Sequence, residues 1–244
     1  MNRFLLIILL LFLGVNSAFT KEVQIKFNLK FGFVKGGEAE MFISDTTFNG
    51  RPAIHYHVVG KTTGLANTLY GVYDIYETTV DAETHLPVKT IRNVKEGSYR
   101  RYNETLFYHD VDSINSQRSG WREVPHNLVD IISVFFYFIH NNPFENLSSG
   151  DGVVYPTINA DKISDVSITY LREETIKTDI GTVNCYVLTP TVRKGRVLER
   201  SDGIKFYISK EEKIPVYVEF EMRVGALKAV IKSYKIDGVE QKSM

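Results

Sequence analysis

The chain has 244 residues, 43% of them hydrophobic and 24% charged, with seven prolines. That composition argues against disorder and leaves room for one large domain or two small ones. Twenty-nine basic residues balance twenty-nine acidic ones, so the basic surplus of a nucleic-acid binder is missing.

Residues 1–18 read as a secretory signal peptide. Asn2-Arg3 gives a short positive start, Phe4 to Val15 an apolar run, and Asn16-Ser17-Ala18 a small and polar cleavage region. The run is about twelve residues, short of the ~20 that a spanning helix needs, so an uncleaved anchor is the weaker alternative. No cysteine lies near the cleavage site. The expectation is an exported chain, periplasmic or associated with the outer envelope. It has no anchor through a cysteine and no transmembrane span in the mature part. Cys185 is the single cysteine, which rules out an intramolecular disulfide. Its surroundings, TVNCYVL, alternate like a strand. That fits a small buried hydrophobe better than a catalytic thiol.

The mature chain opens with VQIKFNLKFGFV. Val23, Ile25, Phe27, Leu29, Phe31 and Phe33 alternate with Gln24, Lys26, Asn28 and Lys30, the period of a strand with one face buried. Gly36-Gly37 makes a turn and residues 39–48 a second strand. Asn49-Gly50 is the favoured two-residue hairpin turn. Residues 53–62, 70–80, 86–96 and 98–110 follow as strands rich in Tyr, Val, Ile and Thr. Ser113 to Gly120 reads as a polar loop. Beyond residues 148–152 the strands resume near 152–158, 165–175, 176–190, 203–209, 214–223 and 226–236, with Asp179-Ile180-Gly181 as a bend or turn. No internal repeat and no Pro/Gly/Ser linker divides the chain, so residues 19–244 read as one β-rich domain.

DIISVFFYFIH, residues 130–140, breaks the pattern because both alternating sets are apolar. Its polar residues Asp130, Ser133, Tyr137 and His140 are spaced three, four and three apart, which stacks them in one stripe of a helix. Asn127 supplies an N-cap and Asn142-Pro143 a stop, so the spacing predicts a helix over 127–141. A helix apolar over most of its circumference is buried. The fold class expected is mostly β: a large antiparallel meander sheet curved into a half-open barrel around one buried helix.

Several segments resemble the domain of unknown function 3108 family of exported bacterial proteins. They are GGEAEMFI, LYGVYDIYETTVDAETHLPVKTIRNVKEGSYRRYNE, the short helix after VPHNLVD, DIGTVNCYVLTP and DGIKFYISKEEKIPVYVEFEM. The matching helix here reads FFYFIHNN and lacks the Arg with which the family's helix usually ends. The resemblance implies export and a half-open meander barrel, similar to envelope proteins linked to capsule export and distantly to lipoprotein carriers. It implies no activity.

Candidate chemistry is sparse. His55 and His57 share a strand face and are weak metal candidates, with His109, Asp110 and Asp112 as distant further ligands; on the outer face, their simpler role is solvent-facing. Asp130, Ser133 and His140 have the residue types of a hydrolase triad. Ser133 and His140 nevertheless stand about 10 Å apart along one helix, too far for a base to reach a hydroxyl. Glu77, Glu104, Glu173 and Glu174 offer carboxylates, but no spacing selects a pair. No G-x-S-x-G elbow, phosphate loop, dinucleotide fingerprint, EF-hand or zinc-ribbon spacing occurs, and no cofactor is expected. Fourteen tyrosines and fifteen phenylalanines serve either the core or a binding surface. The ligand-binding candidates are Asp130, Ser133, Tyr137 and His140, with Tyr73 and Tyr102. The expected function is a non-enzymatic envelope protein whose concave face takes a lipid or glycan ligand or an envelope protein. The alternative is a hydrolase acting on envelope material.

Overall fold

A computed structural model describes residues 21–191, 203–222 and 225–241; the signal segment expected at residues 1–18 lies outside the described residues. The chain folds outward from its first strand. Strands β1 (Glu22–Phe31), β2 (Val34–Phe48), β3 (Arg51–Thr62), β4 (Val72–Asp81), β5 (Pro87–Glu96), β6 (Tyr99–Tyr108), β7 (Ser113–Ser116) and β8 (Gly120–Glu123) form one antiparallel arm, with α1 (Gly64–Leu69) between β3 and β4. The second arm holds β9 (Val129–Asp130), β10 (Gly152–Asn159), β11 (Lys162–Thr178), β12 (Gly181–Pro190), β13 (Ile204–Ser209), β14 (Pro215–Met222) and β15 (Gly225–Ile236). A two-residue strand, β16 (Val239–Glu240), pairs with β15. Strand β15 returns to pair antiparallel with β1, so the first and last long strands meet in the middle of one sheet. The edges of its path are β8 and β9.

The alternation expected in the first strand holds for Val23, Ile25 and Phe27, which are buried against Met41, Ile231 and Tyr234, and ends beyond the bulges: Asn28 is buried, while Phe31 and Phe33, expected on the buried face, are exposed. Asn49 and Gly50 both take positive φ, 50° and 78°, which joins β2 to β3 without a break in register. Bulges in the β1–β15, β1–β2, β4–β5, β11–β12 and β13–β14 pairs add local twist and let the sheet curl. The curl brings the two edges together without a shared ladder. Arg122 Nη2 on β8 donates to the carbonyl of Asp161 at 2.8 Å, and Ser119 Oγ donates to the Asp161 carboxylate at 3.1 Å. Beneath them, Phe107, Ile114, Leu128 and Ile158 form a buried seam. The result is a half-open barrel.

Helix α2 (Ser133–Asn141) lies inside the curve. Phe136 stacks on Tyr56 of β3 with centroids 4.1 Å apart, and Phe135 packs on Phe206 of β13 at 4.0 Å. Phe138 is fully buried beside Phe144, Ile168 and Leu188. One short helix thus contacts both arms, and its aromatic side chains fill the space that curvature opens.

Five expectations need correction. Gly36-Gly37 is no turn but lies inside β2; the chain reverses at Gly32-Phe33, where Gly32 takes φ 58°. The helix begins at Ser133, not Asn127. Asn127 sits at φ 53°, in the left-handed region, and Val129–Asp130 pair in parallel with Thr157–Ile158 of β10. The loop at 113–120 contains β7 and the start of β8, because edge pairing satisfies polar strands as readily as apolar ones. Residues 64–69, between the strands expected at 53–62 and 70–80, form α1. The stretch 162–178 is one strand, and Asp179-Ile180 turns it into β12. That turn reaches β1, where Asn28 Nδ2 donates to Asp179 Oδ2 at 3.3 Å.

Phe138→Ala should cost about 3–5 kcal/mol of stability, since the fully enclosed ring leaves a cavity that two arms of sheet cannot both close. Chemical denaturation of the variant checks this. A loss below 1 kcal/mol would mean that the helix does not brace the barrel.

Candidate functional site

The polar stripe separates into two parts. Asp130 and Ser133 are buried and bound to each other. Ser133 Oγ donates to Asp130 Oδ2 at 2.6 Å and accepts the Asp130 backbone N–H at 3.0 Å. Asp130 Oδ1 accepts the Ile132 N–H at 2.8 Å and the Thr78 hydroxyl at 2.9 Å. The pair therefore caps the start of α2 and ties it to β4. Burial holds the Asp130 carboxyl above the usual carboxylate range, and the hydrogen bonds from Ser133, Ile132 and Thr78 work against that shift. With its oxygens engaged, Asp130 is positioned to organise the fold.

Tyr137 and His140 lie farther along the helix. Tyr137 meets Tyr155 edge to face at 5.4 Å. His140 is exposed and stacks on His85, with centroids 3.8 Å apart and rings 16° from parallel. His85 stands in the β4–β5 turn at φ 57°. Burial, then the neighbouring His140 ring, lowers its pKa, and Asp81 partly offsets this. Ser133 and His140 thus face different surroundings, and no Ser–His pair forms.

Strand alternation carries Tyr73 and Tyr102 to the outer face. On β4, Thr78 points inward to Asp130, and Tyr73 falls on the opposite parity. It lies 6.0 Å from Lys95 Nζ in an outer groove with Phe42 and His57. Tyr102 pairs in register with Asn93, also on the outer side. The six candidates therefore do not converge on one site.

His55 and His57 share the outer face as expected, with ring centroids 6.4 Å apart. His55 Nδ1 is hydrogen-bonded to Thr79 Oγ1 at 3.0 Å, and Nε2 lies 3.3 Å from Glu77. His109 instead bonds the Pro87 carbonyl, and Asp112 pairs with His126. Among the described residues no group of three His, Cys, Asp or Glu side chains is placed to hold a metal ion. Glu104 and Glu173 pair with Lys89 and Lys210, and Glu174 with Arg172. Cys185 is fully buried, and burial pushes its thiol up to about 12.

A different set does converge. On β4, β5 and β6 the inward parity brings together Asp74, Tyr76, Arg92, Glu96 and Asn103. They line the part of the concave face that α2 leaves uncovered. Tyr76 opposes Arg92 directly, and the guanidinium carbon is 5.8 Å from the tyrosine ring. Arg92 Nε is buried with no hydrogen-bond partner among the described residues. Below it a cavity of ≈ 40 Å³ is lined by Asn103, Thr105, Asp130 and Ile132. Toward the other arm the trough is open: a Cβ on Gly60 would meet no atom within 4 Å. Burial, then the adjacent Asp74 carboxylate, raises the Glu96 pKa. A second, larger recess of ≈ 480 Å³ lies near the β4–β5 turn, lined by Phe48, Pro52, Leu86 and Phe107 with Arg51 and Asp81. The sequence analysis missed the concave set. Its signal, polar residues at every second position from Asp74 to Thr78, is indistinguishable from an outer face until register is known.

Asp130→Ala should cost about 3 kcal/mol, because Thr78, Ser133 and the Ile132 N–H lose one shared acceptor. Asp130→Asn should recover most of that at neutral pH. The lowered His85 pKa makes the unfolded state the stronger proton binder, so stability contributed above pH ~6.5 is lost as pH falls through the folded value. His85→Asn, which tolerates the left-handed backbone, should flatten the fall in melting temperature between about pH 6.5 and 5. An unchanged slope would remove His85 from the account.

Comparison with solved structures places the fold. A beta-barrel-like protein of domain of unknown function DUF1849 from Brucella abortus superposes with a TM-score of 0.55 at 7% identity. The match covers 89% of this chain and 97% of that one, and such a likeness shows the fold alone. A DUF1089 family protein from Pseudomonas aeruginosa gives a TM-score of 0.26 at 9% identity over 82% of this chain and 85% of that one. A DUF1329 family protein from Desulfovibrio piger gives 0.25 at 12% over 93% and 77%. No curated protein matches the chain. The family model described as protein of unknown function (DUF3108) matches residues 26–232, nearly the whole sheet, and the chain belongs to that family.

Proposed function

We propose that this is a non-enzymatic protein of the bacterial envelope that binds a hydrophobic or glycan-bearing ligand, or an envelope partner, against its concave face. Support for export comes from the pattern of residues 1–18. The observation that carries the binding reading is Arg92. Its Nε is buried and unpartnered, and it stands beside Tyr76 on a trough left open over Gly60. A buried N–H without an acceptor is costly. A ligand oxygen from a carboxylate, phosphate or sugar hydroxyl satisfies it, while the tyrosine ring offers a face to a sugar or an acyl chain. Support for a binding role over catalysis comes from the dispersal of Asp130, Ser133 and His140. The first two are committed to capping a helix and the third stacks on His85.

A hydrolase acting on envelope material is favoured by one observation, the Glu96–Asp74 pair. Burial and the neighbouring carboxylate favour the protonated form of Glu96 beside Asp74, the asymmetry that acid–base catalysis by two carboxyl groups uses.

Native mass spectrometry of the protein purified from its own envelope separates the readings. The expected result is a discrete bound mass, lost in Arg92→Met, with the melting temperature moved by less than about 3 °C. A bound mass retained in Arg92→Met removes the trough as its site. A Glu96→Gln variant that traps a mass turned over by the wild type would favour the hydrolase, and an empty protein copurifying with a defined neighbour would favour the partner.

A further inference from the structure

The end of the barrel where β1 meets β2 carries an apolar tip that no described residue covers. Phe31, Phe33 and Val34 stand on the β1–β2 turn, with Phe33 fully projecting at 106% relative exposure. Beside them is α1, which has no buried residue. Leu65 and Leu69, one helical turn apart, are 75% and 78% exposed, and Tyr70 follows at 55%. The pieces form one surface. The Thr63 N–H donates to the Gly36 carbonyl at 3.0 Å, and a Cβ on Gly36 would stand 3.8 Å from Ala66 Cβ. Helix α1 thus rests its small face on β2 and turns its leucines outward. The Tyr70 ring packs on Gly97, where a Cβ would come within 2.7 Å, and this joins the tip to the β5–β6 turn.

Scattered exposed apolar residues need no explanation, but six together on two adjoining connections do. Their charge setting selects the occupant. Residues 30–38, 61–71 and 95–101 hold the cations Lys30, Lys35, Lys61, Lys95, Arg100 and Arg101 against Glu38 and Glu96, in a chain that is neutral as a whole. The shape selects it too. The apolar groups project from turns rather than line a groove, which suits insertion into a fluid surface better than a fit to a shaped partner.

We propose that this tip docks on a bilayer surface bearing anionic headgroups, with Phe33, Leu65 and Leu69 entering the acyl boundary and the flanking cations contacting phosphates. The proposal does not depend on a ligand in the concave trough.

The test places a reporter at the tip of the full chain. Phe33→Trp in a Trp121→Phe background should shift its emission to the blue with vesicles of phosphatidylglycerol and phosphatidylethanolamine. Pure phosphatidylcholine should leave it unchanged. Phe33→Ser/Leu65→Ser/Leu69→Ser should lower the fraction sedimenting with anionic vesicles by about tenfold or more at an unchanged melting temperature, and Arg100→Glu/Arg101→Glu should weaken it most at low salt. The proposal is overturned if the reporter does not move while the protein sediments, since another segment then binds. It is equally overturned if the triple variant binds like the wild type, or if position 33 is already shielded without lipid in a dimer seen by sedimentation velocity.

Discussion

The carboxylate of Asp130 is the point through which the architecture is tied together. It lies in a two-residue strand at one edge of the sheet, accepts the hydroxyl of Thr78 from the middle of the other arm, and accepts N–H groups at the start of the helix inside the curve. A buried charge without partners is untenable. Its hydrogen bonds therefore specify where β9 ends, where α2 begins and how far β4 stands from both. The aromatic packing of Phe135, Phe136 and Phe138 then follows, because the helix can enter the curve only along the direction that Asp130 and Ser133 set.

That placement divides the concave face. Beneath the helix, side chains fill the barrel and offer no ligand space. Ahead of its N-terminus the inward residues of β4, β5 and β6 include the polar Asp74, Arg92, Glu96 and Asn103 around the buried Val94, and the curve stays open. Catalytic residue types on the helix turn out to be caps and ring stacks, while Arg92, whose Nε has no partner among the described residues, sits on a strand. The likeness to a beta-barrel-like protein at 7% identity extends the architecture beyond this chain but carries no chemistry. A trough on one face and an apolar, cationic tip at one end are separate features, and each can be tested without the other.

The sequence by itself determined the strands with alternating apolar residues, the Asn49-Gly50 hairpin, the inert character of Cys185 and the existence of one apolar helix. Each depends on local periodicity or on a single residue's backbone preference, and these act over a few positions. The start of the helix was not legible, because an Asn before an apolar run reads as a cap whether or not the chain first pairs as a strand. Nor was α1, whose leucines face outward and so leave no core-facing pattern. Only the tertiary structure decided which parity of β4, β5 and β6 faces inward. Asp74, Tyr76 and Thr78 alternate with Tyr73, Ile75 and Glu77, and neither set is more apolar than the other. Register with the neighbouring strands, and the long-range bond from Thr78 to Asp130, break that tie, with Tyr56 opposite Thr78 and Tyr76 opposite Arg92. Register follows from the closure of the whole sheet and from the buried Asp130, because shifting a strand by one residue reverses every side chain on it.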